Sequence, residues 1–290
     1  MKTLIIYNSF SGVKRDKGIT YIKSKLKMKC DIVDVYESEN DIKEYVICNG
    51  AYYDLLIVIG GDGTINHAIN GLMMIHHKPL LAYIPMGTCN DFGRSLGLKK
   101  EIDNVIESIF NGNIKDIYVN KINTDYYLYG LAVGNMTHVS YKINNNLKRR
   151  FGKIGYYLNA VKSLFISNNF KVELKVNGNI VKEDCFCLLL LNSKFLASMK
   201  LRLKNDYIDN RNIKVVLIKK KNRIINLIDL IMFLLFGEYY FHNISYYEGD
   251  NIQIKIDKPM NFNMDGECLP SLSNVDIKRT INGIKLIVYK

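Results

Sequence analysis

The sequence predicts two domains with different grammars, an α/β N-terminal domain with a doubly wound parallel sheet followed by a C-terminal antiparallel β-sandwich domain. Three observations carry this. Strand and helix signals alternate from residue 1 to about 120, as expected when each strand is followed by a crossover helix. Leu55–Ile59 is apolar at every position and ends in a glycine-rich turn, the pattern of a strand buried on both faces. Beyond about residue 120, short strands follow one another through turn signals with few helices between them. The expected boundaries are 1–120 and 121–290, with the C-terminal residues rejoining the first domain.

In the first domain, strands are expected at Leu4–Tyr7, Asp31–Val35, Leu55–Ile59 and Leu80–Ile84, and helices near Lys14–Lys27, Asn40–Cys48 and Thr64–Ile75. The last of these sets Ile65, Ala68, Ile69, Leu72 and Met73 on one face. In the second, strands are expected at Tyr126–Val133, Lys171–Val176, Asp184–Leu191, Ile213–Ile218 and Asn251–Ile256. Asn177-Gly178-Asn179 reads as a turn, and a helical interruption runs from about Ile154 to Ser167 beside Lys148, Arg149, Arg150 and Lys153.

Composition narrows the function classes. Hydrophobic residues make up 48% and charged residues 23% of the 290-residue chain, which is globular and long enough to bury a substantial core. The net charge of +12 suits an anionic partner, although Lys, Asn and Ile recur throughout and part of the balance is general composition. No motif supports a nucleic-acid role. The six cysteines include no CxxC and no zinc spacing, and no stretch resembles a signal peptide, so a reduced cytoplasmic protein is expected. Ile224–Phe236 is strongly apolar, yet it contains Asp229 and is shorter than the ~20 residues a spanning helix needs. It reads first as a helix packed in a core. A helix resting on a bilayer surface is the second reading, given Lys219, Lys220, Lys221 and Arg223 just before it.

Three turns fall at the carboxyl ends of predicted strands, where open α/β sheets bind ligands. Asn8-Ser9-Phe10-Ser11-Gly12 closes the first with small polar groups. Gly60-Gly61-Asp62-Gly63-Thr64-Ile65-Asn66 closes the third and opens a helix, so backbone N–H groups and the helix dipole can meet a phosphate. Its glycines are expected to admit a phosphate close to the backbone and to supply the positive φ of a tight turn. Asp62 would repel that phosphate unless a metal ion lay between them. Pro85-Met86-Gly87-Thr88-Cys89-Asn90-Asp91-Phe92-Gly93-Arg94 closes the fourth, with a hydroxyl at Thr88 and polar groups at a helix start. The loop is neither a Walker A sequence nor a GxGxxG fingerprint.

Gly-Gly-Asp-Gly-Thr resembles the phosphate loop shared by diacylglycerol kinases, sphingosine kinases and NAD kinases. Pro85–Arg94 resembles the P-x-GT-x-NDF-x-R motif of the diacylglycerol and sphingoid lipid kinases, and sets the NAD kinases aside. Gly134-x-x-Thr137-x-Val139-Ser140-Tyr141, Leu147-Lys148, Gly152 and Tyr156-Tyr157 are similar to the soluble diacylglycerol kinases of Gram-positive bacteria, so the likeness runs over nearly the whole chain. It implies a first domain that binds nucleotide and a second that takes the lipid. It implies ATP and Mg²⁺ as cofactors, with Asn8, Ser9, Phe10, Ser11, Gly12, Ser38, Gly60–Asn66 and Thr88 holding the nucleotide. Ser9 stands where the family has Pro, and Ser38 where it has Thr. Asp62 and Asp91 would organise the catalytic Mg²⁺ through water.

Asn263-Met264-Asp265-Gly266-Glu267 looks like the family's Asp-Gly-Glu, which supplies the proton acceptor. Glu267 is favoured as the base with Asp265 beside it, and the residues leave the choice between them open. The family also has Asp-Asp-Gly where this chain has Asp209-Asn210-Arg211, and its second Asp binds a structural Mg²⁺ with two backbone carbonyls. Carried over, those ligands are Asn210, Asn212 and Tyr207. Asn210 brings no charge to a hard cation that favours carboxylate, so weak metal binding is expected unless Asp209 substitutes. The implied reaction is transfer of the ATP γ-phosphoryl group to diacylglycerol. Other readings are a kinase for another lipid alcohol or for NAD, or a catalytically silent lipid- or nucleotide-binding regulator. An anionic membrane surface is the expected partner, with peripheral attachment to its inner face, and the resemblance leaves a homodimer open, since relatives often form dimers.

Overall fold

The computed structural model describes residues 1–8, 15–38, 41–98, 102–134, 169–196, 199–205, 208, 210–238, 242–280 and 283–288. Several features singled out above lie outside the described residues: Ser9 to Gly12, the 135–168 stretch with its helical interruption and basic cluster, and Asp206, Tyr207 and Asp209. The chain divides into two compact units, Met1–Val119 with Thr280–Lys290, and Asn120–Arg279.

The first unit runs β1 (Lys2–Asn8), α1 (Arg15–Lys27), β2 (Ile32–Ser38), α2 (Ile42–Asn49), β3 (Leu55–Gly60), α3 (Asp62–Leu72), β4 (Leu80–Pro85), α4 (Asp91–Ser95), α5 (Ile102–Asn111) and β5 (Asn113–Ile117). A last strand, β17 (Ile284–Val288), returns from the far end of the chain. The sheet order is β2-β1-β3-β4-β17-β5, parallel except where β5 meets β17. Leu4–Ile6 and Leu55–Ile59 are fully buried or nearly so, as their unbroken apolar runs require of central strands covered on both faces. α3 turns Ile65, Ala68, Ile69 and Leu72 inward, and Gly71 lets it close on α2, since a Cβ there would sit 2.8 Å from the Lys43 carbonyl oxygen. From β1 the chain moves outward to β2, then crosses back to place β3 on the other side of β1. The topological switch point, where such sheets form a crevice, therefore lies at the carboxyl ends of β1 and β3.

The second unit is antiparallel and β-rich: β6 (Asn120–Ile122), β7 (Asp125–Tyr127), β8 (Gly130–Gly134), β9 (Phe170–Val176), β10 (Asn179–Leu191), the short pair β11 (Phe195–Leu196) and β12 (Met199–Lys200), β13 (Ile213–Lys219), β14 (Ile244–Gly249), β15 (Asn251–Met264) and β16 (Glu267–Arg279). One helix, α6 (Arg223–Phe236), interrupts them. Strand β8 pairs with β10, β10 with β9, β9 with β15, and β15 with β8 again. That ring of pairings closes around a core of Val133, Phe170, Leu174, Leu188, Val215, Ile254 and Phe262. A register shift between Cys185 and Cys187 changes which side of β10 faces that core. Cys185, Leu188 and Leu190 line it, while Phe186, Leu189 and Leu191 pack with Leu230 and Phe233 of α6 in a second cluster.

Two differences from the sequence reading have local causes. The expected strand Tyr126–Val133 is broken at Leu128-Tyr129, because the Asp265 carboxylate takes the N–H groups of Leu128, Tyr129 and Gly130 out of the ladder. β15 and β16 extend far beyond the expected Asn251–Ile256. Their periodicity is obscured around Pro259 and Pro270, where the register between the two strands shifts and a missing N–H is tolerated.

Candidate active site

The two glycine-bearing loops after β3 and β4 form one structure. Met86 donates its N–H to the Gly60 carbonyl at 2.7 Å. Gly61 and Gly87 then meet backbone to backbone: a Cβ on Gly87 would lie 2.5 Å from the Gly61 Cα and 2.8 Å from Asn90 Oδ1. The first of these is backbone that cannot give way and the second is a side-chain oxygen, so only glycine fits. The expected positive φ is absent at Gly60, Gly61, Gly63 and Gly87. Close approach, between the loops at Gly61 and Gly87 and to the Thr64 side chain at Gly60, is what these three positions require, not left-handed backbone.

Asn90 clamps the second loop. It is buried, adopts φ 53° and ψ 46°, accepts the Gly87 N–H at 2.8 Å and donates its amide to the Gly87 carbonyl at 2.8 Å. The left-handed conformation is one that Asn tolerates well. Tyr83, fully buried on β4, donates its hydroxyl to the Gly60 carbonyl at 3.1 Å and comes within 3.5 Å of Asn90 Oδ1. Sequence reasoning missed Tyr83; a lone hydroxyl at the end of an apolar strand was the available signal.

Asp62 begins α3, and its carboxylate reaches across to the start of α4, where Oδ1 accepts the Phe92 N–H at 3.0 Å. The acid of the first motif thus caps the helix of the second. Burial pushes the Asp62 carboxyl above the ordinary carboxylate range, opposed by the amides of Phe92, Asp91 and Asn90. Asp91 is itself buried in the first turn of α4.

The remaining nucleotide-side residues divide by exposure. Gly63 and Thr88 are exposed, and Asn8 is half-buried at the end of β1, paired in register with Ser38. Ser38 is buried, donating its hydroxyl to Asp41 at 2.8 Å and accepting the Asp41 N–H at 3.3 Å. Thr64 folds back over Gly60, the Ile65 side chain is core, and Asn66 accepts the Asn70 amide at 2.9 Å. Of these last three, Ile65 already has its N–H on the Gly61 carbonyl at 3.2 Å. The first-turn amides of α3 have no intrahelical acceptor, as at any helix start. With exposed Gly63 among them and the switch point beside them, this set fits a nucleotide's phosphates.

In the second unit, Asp265 and Gly266 are the two central residues of the β15–β16 hairpin, with φ 50° and 95°. That is the primed two-residue turn whose twist matches the strands. The Asp265 carboxylate accepts N–H groups from Leu128 at 2.5 Å, Tyr129 at 3.0 Å and Gly130 at 2.9 Å, and the Tyr129 hydroxyl donates to its carbonyl at 2.5 Å. Glu267, the first residue of β16, is exposed.

Of the expected structural metal ligands, Asn210 has its side chain engaged locally. The Asn210 amide oxygen accepts the Asn212 N–H at 3.1 Å. The buried Arg279 guanidinium donates to the Asn210 carbonyl at 2.6 Å, the Ile208 carbonyl at 3.2 Å, Asn120 Oδ1 at 2.8 Å and Asn192 Oδ1. Among the described residues, no group of three His, Cys, Asp or Glu is placed to hold a metal ion. The guanidinium thus takes carbonyls beside the expected ligand atoms, and Tyr207 lies outside the described residues.

Fold comparison places the chain beside a diacylglycerol kinase structure from Bacillus anthracis, with TM-score 0.78 at 23% identity over all of this chain and 97% of that one. An NAD kinase from Archaeoglobus fulgidus, in complex with ATP, follows at TM-score 0.55 and 13% identity, over 99% of this chain and 93% of that one. These two likenesses concern fold alone. Fold and loops together define a protein of one α/β unit and one antiparallel β unit, with a helix-start anion site at the edge of the first. The diacylglycerol kinase catalytic domain profile matches residues 2–122. Diacylglycerol kinases from Staphylococcus epidermidis and Bacillus subtilis are 31% and 29% identical over 216 and 217 residues, 74% of this chain in each case and 68% and 71% of theirs. The chain belongs to the diacylglycerol kinase family.

Proposed function

We propose that this kinase transfers the γ-phosphoryl group of ATP to the hydroxyl of diacylglycerol, producing phosphatidic acid. The single observation that carries the reading is the junction of the two motifs: Gly61 against Gly87 and Asp62 on the Phe92 N–H, beside the sheet's switch point. Motifs about thirty residues apart are built into one loop structure, a cost in conformational freedom that a bare turn would not require.

Phosphoryl transfer depends on positioning and charge stabilisation more than on covalent chemistry. In this reading the backbone amides at the start of α3, with the Asn8–Gly12 loop and the Thr88 hydroxyl, hold the triphosphate, while buried Ser38 stays bonded to Asp41. Asp62 and Asp91 hold water around a Mg²⁺ that neutralises developing phosphate charge. Glu267 is the proton acceptor. Asp265 is the positioning residue, because its oxygens are already engaged by three backbone N–H groups while Glu267 stands exposed.

The test is a transfer assay with labelled ATP, offering diacylglycerol, other lipid alcohols in anionic vesicles, and NAD. Label in phosphatidic acid is the expected result. Label only in another lipid or in NAD would replace the substrate, and ATP binding without transfer to any of them would favour a silent regulator.

A further inference from the structure

α6 is amphipathic in the wrong sense for a helix facing water. Apart from Arg223 at its start, its only polar side chains, Asn226 and Asp229, are buried. Asn226 is bonded to the backbone N–H and carbonyl of Lys221, and Asp229 accepts the Asn243 amide at 3.0 Å. Leu230 and Phe233 complete the inward face. Outward stand Ile224, Ile228, Ile231 and Leu235, spaced four, three and four residues apart in one stripe, with Ile224 72% and Leu235 58% exposed. Ile225 and Phe236 widen it.

An apolar face of this kind marks an interaction surface. Its chemistry selects the occupant. Lys220, Lys221 and Arg223 are exposed at the amino end of the stripe, while Lys219 is paired with Glu183 at 2.6 Å. The helix's one acid faces inward, so its outward side offers nothing to balance those cations if a second copy packed there. A bilayer with anionic headgroups offers both an apolar layer and the opposite charge. Fourteen residues make a helix about 21 Å long, too short to span and suited to lying along the interface. No helix among the described residues is long and apolar enough to cross a membrane.

We propose that α6 is the element by which this protein docks on an anionic bilayer, its Ile/Leu stripe entering the headgroup boundary and Lys220, Lys221 and Arg223 meeting lipid phosphates. The inference rests on the lipid-kinase reading only in preferring a bilayer to another apolar partner. The experiment therefore reads binding and catalysis separately. Full-length protein is floated with vesicles of phosphatidylglycerol and phosphatidylcholine, or of phosphatidylcholine alone, and turnover is measured on a short-chain diacylglycerol in free solution. Wild type should bind the anionic vesicles. Ile228→Glu with Leu235→Glu should reduce binding at least about tenfold, since each buried aliphatic side chain contributes that much alone. Lys220→Glu with Lys221→Glu should reduce it by about fivefold or more for each charge, only with the anionic lipid. Both variants should melt as wild type does and keep its turnover on the soluble substrate. Wild-type vesicle binding by both variants would overturn the proposal. So would a lipid-free wild-type dimer that Ile228→Glu with Leu235→Glu dissociates, which would make the face an interface between copies. Normal vesicle binding with no lipid phosphorylation would sink the kinase reading and leave docking intact.

Discussion

Asp62 has two tasks in this account, and two substitutions separate them. Asp62→Ala removes the acceptor from the Phe92 N–H, a group at the start of α4 whose residue is 1% exposed. A buried donor left without its partner costs about 1–3 kcal/mol. For a unit of this size, ~2 kcal/mol corresponds to a melting temperature lower by roughly 5–10 °C. Asp62→Asn leaves an oxygen to accept the same N–H and removes the charge that burial disfavours. It should melt no lower than wild type at neutral pH. The sign follows from the raised pKa. Because the folded state favours the protonated acid, the stability Asp62 contributes is fully present below the unfolded value near 3.8 and is lost as pH rises through the higher folded value. Melting curves from pH 4 to 7 should therefore show the asparagine variant gaining on wild type across that carboxylate window. Both variants should lose transfer to lipid by about 10²-fold or more, as when any preorganised charge-stabilising group is removed. If Asp62→Asn melts as low as Asp62→Ala throughout, the capping account is wrong. If it turns over like wild type, the proposed metal-organising role is wrong.

Other outcomes follow from the same geometry. Glu267→Gln should abolish transfer, by about 10²–10⁴-fold, with an unchanged melting temperature, whereas Asp265→Asn should lower the melting temperature by disturbing the three N–H bonds that hold Leu128–Gly130; paired calorimetry and kinetics on both variants check this. Gly87→Ala should both destabilise and inactivate, because its Cβ would press on Gly61 backbone at 2.5 Å, and a thermal melt with a nucleotide-binding titration measures each effect. Arg279→Met should cost more than ~3 kcal/mol by withdrawing a charged donor from four oxygens, read by urea unfolding. The wild-type melting temperature should be the same in Mg²⁺ and in chelator without nucleotide; a strong rise in micromolar Mg²⁺ would restore a structural metal to that loop.

Much of this was legible in the sequence because it depends on neighbours along the chain. Leu55–Ile59 had to be a central strand, since an uninterrupted apolar run cannot face water, and the turn after it had to open a helix because Ile65, Ala68, Ile69 and Leu72 repeat at helical spacing. The Asn177-Gly178 turn was equally local, with φ 46° and 93° in a tight hairpin. What folding alone decided involves partners distant in sequence or signals that cancel. α5 and β5 were not anticipated; a return of the C-terminal residues to the first domain was expected, but not that they form β17 between β4 and β5. The role of Gly87 depends on Gly61, that of Asp62 on Phe92, and that of Arg279 on carbonyls some seventy residues earlier. Residue types announced that the loops carry glycine and acid; only the packed backbone, which sets which N–H each carboxylate can reach, assigned the work of each.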